Sequence, residues 1–168
     1  MKLIAHKLGT GEKYDRLRCV RDDETSCEVL LPRQGILPHD LIHAAIESRL
    51  GFNDGFIGLV AKGADIDFAG KEFHRYIDPT HGQQVAQAES LVESLQAQLW
   101  SGDFDDAAFR DGLATACAMR GVPSPDLSAI NPHKDLFDVV KYLGRMWQGV
   151  PPNSDWELQF PLDVEMAE

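Results

Sequence analysis

Residues 36–51 read Ile36-Leu37-Pro38-His39-Asp40-Leu41-Ile42-His43-Ala44-Ala45-Ile46-Glu47-Ser48-Arg49-Leu50-Gly51. Pro38 suits a first helical turn, where its missing N–H costs nothing. Ile42, Ile46 and Leu50 then fall on one stripe, with Leu41 and Ala45 beside it, and Gly51 supplies a left-handed stop. The stretch is therefore a core-facing helix. The residues before it alternate like strands, and most of the chain after it repeats with helical period, so this helix is the hinge on which the fold class turns.

Upstream, Lys2–Leu8 runs into the turn cluster Gly9-Thr10-Gly11. Tyr14–Arg21 sets Leu17, Cys19 and Arg21 on one side and Arg16, Arg18 and Val20 on the other. Asp22-Asp23-Glu24 makes a polar turn, and Cys27–Leu31 forms a third strand ended by Pro32. Such short connections favour an antiparallel meander.

Downstream, Asn53 can cap a second, shorter helix carrying Phe56, Leu59 and Val60, with Gly63 to end it. Residues 64–80 show no clean period; Asp65, Asp67, Phe68, Phe73, His74 and Tyr76 lie there. Val85, Ala88, Leu91, Val92, Leu95 and Leu99 follow a helical period. Asp103 is placed to cap the next helix, with Asp105 and Asp106 in its first turn and Phe109, Leu113, Ala116 and Cys117 on its stripe to about Gly121. Asn131-Pro132 starts a last helix through Leu136, Val139, Val140, Leu143 and Trp147. Asp155–Phe160 alternates Trp156, Leu158 and Phe160 against Glu157 and Gln159 and reads as a strand returning to the N-terminal sheet. The expected fold is one α+β domain over residues 1–168: about four antiparallel strands, three N-terminal and one C-terminal, packed against about five helices.

The chain has 168 residues, 16 Lys+Arg and 27 Asp+Glu, for a formal net charge of −11. The first fifty residues hold 8 basic and 8 acidic side chains, and the rest hold 8 and 19. No basic footprint for phosphates is present, which argues against nucleic acid and against an anionic membrane surface. Cys19, Cys27 and Cys117 show no C-x-x-C spacing. Cys19 and Cys27 can oppose each other across a hairpin, although buried free thiols are the expected case. The N-terminus lacks the apolar run of a signal peptide, and no segment approaches the ~20 apolar residues of a membrane span. The sequence reads as cytoplasmic.

Chemistry concentrates in His39-Asp40-x-x-His43. Residues four apart on a helix face one way, so two imidazoles can converge on one ion. Asp40, His43 and Glu47 share a sector of about 100°, with His39 at its edge. The pattern resembles the zinc-protease signature H-E-x-x-H, in which the Glu is the general base. Here the base position holds Asp40, one methylene shorter. Glu47 cannot easily ligate an ion together with His39, because eight residues of helix span about 12 Å. A third ligand must come from elsewhere, with His74, Asp65, Asp67, His81 and His133 as candidates. A plainer account is also open: the helix dipole alone favours Asp40 in a first turn, and an Asp40–His43 contact is ordinary helix support.

Leu37-Pro38-His39-Asp40-Leu41-Ile42-His43, Gly55-Phe56-Ile57-Gly58-Leu59, Trp147 and Phe160-Pro161 together resemble an uncharacterised bacterial protein family. The resemblance covers residues 1–63 and 136–162. It implies a small sheet with helices and carries no activity with it.

Three functions fit these features. The first is a small accessory or binding protein, for a small molecule or a protein, with a polar pocket around His39, Asp40, His43 and Glu47. The second is a hydrolase using a divalent metal such as zinc, with His39, His43 and His74 as ligands and Asp40 or Glu47 activating water. The third is an acidic module that binds a basic protein through residues 89–111 and the C-terminal tail.

Overall fold

The computed structural model describes residues 1–67 and 75–164. Three N-terminal strands, β1 (Lys2–Lys7), β2 (Tyr14–Val20) and β3 (Ser26–Pro32), form an antiparallel meander. The C-terminal strand β4 (Ser154–Gln159) returns to pair antiparallel with β1, giving the order β3-β2-β1-β4. Alternation decides the faces: Leu3, Ala5, Leu17, Cys19 and Leu31 are fully buried, while Arg16, Arg18 and Glu28 stay in solvent. At the tight β2–β3 turn Glu24 takes a φ of 68°.

Among the described residues five α-helices follow, α1 (His39–Leu50), α2 (Phe56–Lys62), α3 (Gln84–Ser101), α4 (Asp106–Met119) and α5 (Val139–Gly149). Helix α1 lies on the inner face of the sheet. Leu41, Ile42, Ala44, Ala45 and Ile46 enter the same apolar core as Leu3 and Leu17. Gly51 ends it at φ 66°, donating back to Ser48. Helices α3 and α4 form a pair, and α3 also packs against α1, so two long helices face each other across a seam. Helix α5 closes the other end: Trp147 stacks on Trp156 of β4 with ring centroids 6.0 Å apart. No helix among the described residues is long and apolar enough to cross a membrane.

Several local expectations need correction. Asp105, not Asp103, caps α4; its carboxylate accepts the Ala108 N–H at 2.9 Å. The last helix does not begin as a regular α-helix at Asn131-Pro132. A π-helical turn, His133–Asp138, comes first, with the Asn131 side chain accepting the Lys134 N–H. Pro79–His81 is a 3-10 turn capped by Asp78. Phe68, Phe73 and His74 lie outside the described residues.

Candidate metal centre

The seam between α1 and α3 holds the polar face of the 36–51 helix. His43 is 1% exposed and bridges two carboxylates, Nδ1 at 3.0 Å from Glu47 Oε1 and Nε2 at 2.9 Å from Glu89 Oε2. Glu89 projects from α3. The same Glu89 oxygen lies 3.6 Å from His39 Nε2, and the two imidazoles meet edge to face at 4.8 Å. One ligand atom each from His39, His43 and Glu89 therefore gather within 4.8 Å of one another. Donors about 2.05 Å from a tetrahedral zinc lie about 3.3 Å apart; the His43–Glu89 hydrogen bond at 2.9 Å and the His39–Glu89 approach at 3.6 Å lie on either side of that spacing.

An outer ring fixes both imidazoles. The Glu47 carboxylate can only accept, so His43 Nδ1 carries the proton of that bond. Glu47 is anchored in turn by the start of α2. Ile57 N–H donates to Oε1 at 3.2 Å and Gly58 N–H to Oε2 at 2.9 Å. A side chain at Gly55 would displace the Glu47 carboxylate, since its Cβ would sit 2.4 Å from Glu47 Cδ. The sequence run Gly55-Phe56-Ile57-Gly58 thus reads as a cradle for one carboxylate.

His39 is held by a chain of amides. Gln34 Nε2 donates to the Leu37 carbonyl, and Gln96 Nε2 donates to Gln34 Oε1. That leaves Gln96 Oε1 facing His39 Nδ1 at 3.4 Å, so this ring too presents Nε2 to Glu89. Outer acceptors of this kind, which set the tautomer and aim of a ligating histidine, are a regular part of metal sites.

The charges are mutually dependent. Burial alone would lower the His43 pKa, but the hydrogen bonds to Glu47 and Glu89 outweigh it and raise it to about 9. Contacts with His39 and then His43 hold Glu89 well below the ordinary carboxylate range. Asp40 moves the other way: burial raises it, against the pull of His39 and His43. A divalent cation held by these three groups would have to displace the proton on His43 Nε2.

Of the residues singled out by sequence, His39, Asp40, His43 and Glu47 come together. Glu47 sits behind His43 as an orienting acceptor. The third converging group is Glu89, which the sequence reading missed. His81 pairs instead with Asp54, and His133 stacks on Phe104 at 5.0 Å. The Asp65 side chain accepts the Asp67 backbone N–H in a local turn. His74 lies outside the described residues, so its proposed ligand role has no position here. One signal could have found Glu89: Gln96 follows it by seven residues, placing two polar side chains on the same side of α3 beside buried Leu91, Val92 and Leu95.

A second carboxylate group, Asp54, Asp78 and His81, also clusters. There the Lys62 ammonium already bonds to the buried Asp54 carboxylate, and a cation would have to displace it. No protein-family model, curated protein or solved structure matches the chain. The functional reading rests on the geometry of the His39–Glu89 seam.

Proposed function

We propose that this chain is a metal-dependent hydrolase with His39, His43 and Glu89 as the ligands of a zinc-class divalent ion. The observation that carries this reading is the shared aim of the two imidazoles. Each turns Nε2 toward one Glu89 oxygen while its Nδ1 is taken up by a separate outer acceptor, Glu47 or Gln96. A buried ion-paired histidine alone would need no second, equally oriented ring.

Three protein ligands leave a fourth position for water or substrate. The His39 and Glu89 side chains are 34% and 40% exposed, so solvent reaches the seam. The ion, when bound, would supply Lewis acidity and lower the pKa of water. Asp40 is the carboxylate left for proton transfer. It makes no hydrogen bond among the described residues, and burial raises its pKa toward the range in which a base works. The accessory-pocket reading uses the same residues but gives no account of the outer acceptors. A cytoplasmic setting accords with three free cysteines.

The test is zinc itself. Protein purified without a histidine tag is stripped with chelator, and Zn²⁺ is added to about 100 times its dissociation constant. A stabilisation of about 2.7 kcal/mol follows, raising Tm by roughly 5–10 °C. The shift is lost in His43→Ala and Glu89→Ala. Chelator abolishes and Zn²⁺ restores cleavage of a chromogenic ester or peptide, and Asp40→Asn loses cleavage while keeping the metal. No metal and no thermal shift would sink the proposal; metal binding without cleavage would reduce it to a binding protein.

A further inference from the structure

Cys19 and Cys27 are direct register partners across β2 and β3. Directly opposed residues of an antiparallel pair share a face, with Cα atoms about 4.5–5.5 Å apart. That lies inside the roughly 4.4–6.8 Å window of a disulfide. Cys19 is fully buried and Cys27 is partly exposed, and both are free thiols. Above Cys27 sits Arg21, on the same face. Its guanidinium is fixed by two backbone carbonyls, Val60 through Nε and Ala64 through Nη2, each at 2.6 Å. The same Nη2 lies 3.5 Å from Cys27 Sγ.

We propose that Cys27 and Cys19 form a peroxide-reactive dithiol site, in which Cys27 is the attacking thiolate and Cys19 the resolving thiol. A clamped guanidinium beside a partly exposed sulfur is the setting that favours a thiolate. The balance of forces agrees. The bond from the Cys19 thiol and, less strongly, a backbone N–H at Ile66 and Arg21 lower the Cys27 pKa, against burial and the nearby Asp65 carboxylate. The bond to Cys27 and burial both raise that of Cys19.

The chemistry balances with hydrogen peroxide as the oxidant. The Cys27 thiol gives up its proton and Sγ attacks one peroxide oxygen; the S–O bond forms, the O–O bond breaks, and hydroxide leaves and takes up that proton as water. Cys19 Sγ then attacks Cys27 Sγ; the S–S bond forms, the S–O bond breaks, and the Cys19 proton leaves with the oxygen as water. Two thiols are oxidised to one disulfide, and one peroxide is reduced to two waters. Cys19 feels the charge of Asp40 at the edge of the His39–Glu89 seam, but none of the three groups proposed to hold a metal takes part in this reaction.

The experiment uses the full, reduced chain and about one equivalent of hydrogen peroxide. Intact mass should fall by about 2 Da, and peptide mapping should join Cys19 to Cys27 while Cys117, 1% exposed, stays reduced. Cys19→Ser should stop at a sulfenic acid on Cys27 that dimedone traps. Cys27→Ser should abolish the reaction, and Arg21→Gln should slow alkylation of Cys27 by iodoacetamide roughly 10-fold. Circular dichroism confirms that each variant is folded. A wild-type chain that forms no Cys19–Cys27 bond, or a Cys27→Ser variant that consumes peroxide as fast as wild type, overturns the proposal.

Discussion

Glu47 carries no solvent exposure, yet it is a carboxylate with three hydrogen-bond donors around it: one imidazole and two backbone N–H groups. A buried charge in that position is tolerable only because each donor is aimed at it. Replacing Glu47 by Gln keeps the volume but turns one accepting oxygen into a donor facing another N–H. The variant should lose about 2–4 kcal/mol of stability, read by urea denaturation. It should also bind Zn²⁺ about 10–100 times more weakly, read by competition with a chromogenic chelator. Equal affinity in wild type and Glu47→Gln would show that the His43 tautomer does not matter to the site. Asp135 gives the pH counterpart at this scale. The Arg49 guanidinium first, and the Asn131 N–H second, lower its pKa. A depressed folded-state pKa means stability that is present above the ordinary carboxylate value and lost as pH falls through the lowered one. Asp135→Asn should therefore cost about 1 kcal/mol at pH 7, and the difference from wild type should vanish below the depressed pKa. A gap that persists unchanged in strong acid would assign the cost to packing instead.

Helix α2 is only seven residues long, and its start is shaped by two glycines. A Cβ at Gly58 would meet the Asn53 carbonyl oxygen at 2.3 Å, a backbone atom that cannot swing aside. At Gly55 the obstacle is the Glu47 side chain. These two substitutions should separate by effect. Gly58→Ala should destabilise the metal-free fold by about 2 kcal/mol or more and, because the Gly58 N–H also holds Glu47 Oε2, weaken Zn²⁺ binding as well, whereas Gly55→Ala should spare the metal-free fold. Gly55→Ala should push Glu47 off His43 and weaken Zn²⁺ binding. Thermal melts with and without Zn²⁺ distinguish them; identical behaviour of the two variants would remove the cradle role from Gly55. At this scale the sequence was easiest to read where one local pattern sufficed. Ile42, Ile46 and Leu50 set α1, and Leu17 and Cys19 set the inner face of β2. Asp103 competed with Asp105 as a cap because both precede the same apolar stripe, and only the path of the turn decides between them. The π-helical turn at His133 carries no periodic signature that departs clearly from an α-helix.

At the scale of the whole molecule, what the sequence withheld was long-range pairing. His39, Asp40, His43 and Glu47 lie within one helix and were legible together, whereas Glu89 is 46 residues from His43 and meets it only because α3 packs on α1. The return of β4 was legible for a different reason: alternation at Trp156 and Leu158 demanded a sheet, and only one sheet was on offer. The same closure makes a prediction about the scaffold. Lys7, at the end of β1, places its ammonium on the carbonyls of Trp147, Gln148 and Val150 at 2.8, 3.0 and 2.9 Å. These carbonyls lie at and just past the C-terminus of α5, where the helix dipole favours a cation; that of Trp147 also accepts the Val150 N–H. The ammonium also lies 5.1 Å from the Trp147 ring centroid. Lys7→Met retains an apolar stem over the indole and removes the charge and all three bonds. The expected loss is about 1–2 kcal/mol, a fall in Tm of roughly 2–8 °C. Zn²⁺ affinity should stay at the wild-type value, because the seam between α1 and α3 does not touch this contact. A fall in affinity as large as that of Glu47→Gln would mean that the two ends of the molecule are coupled, and that the metal centre depends on closure of the sheet as well as on its own ring of acceptors.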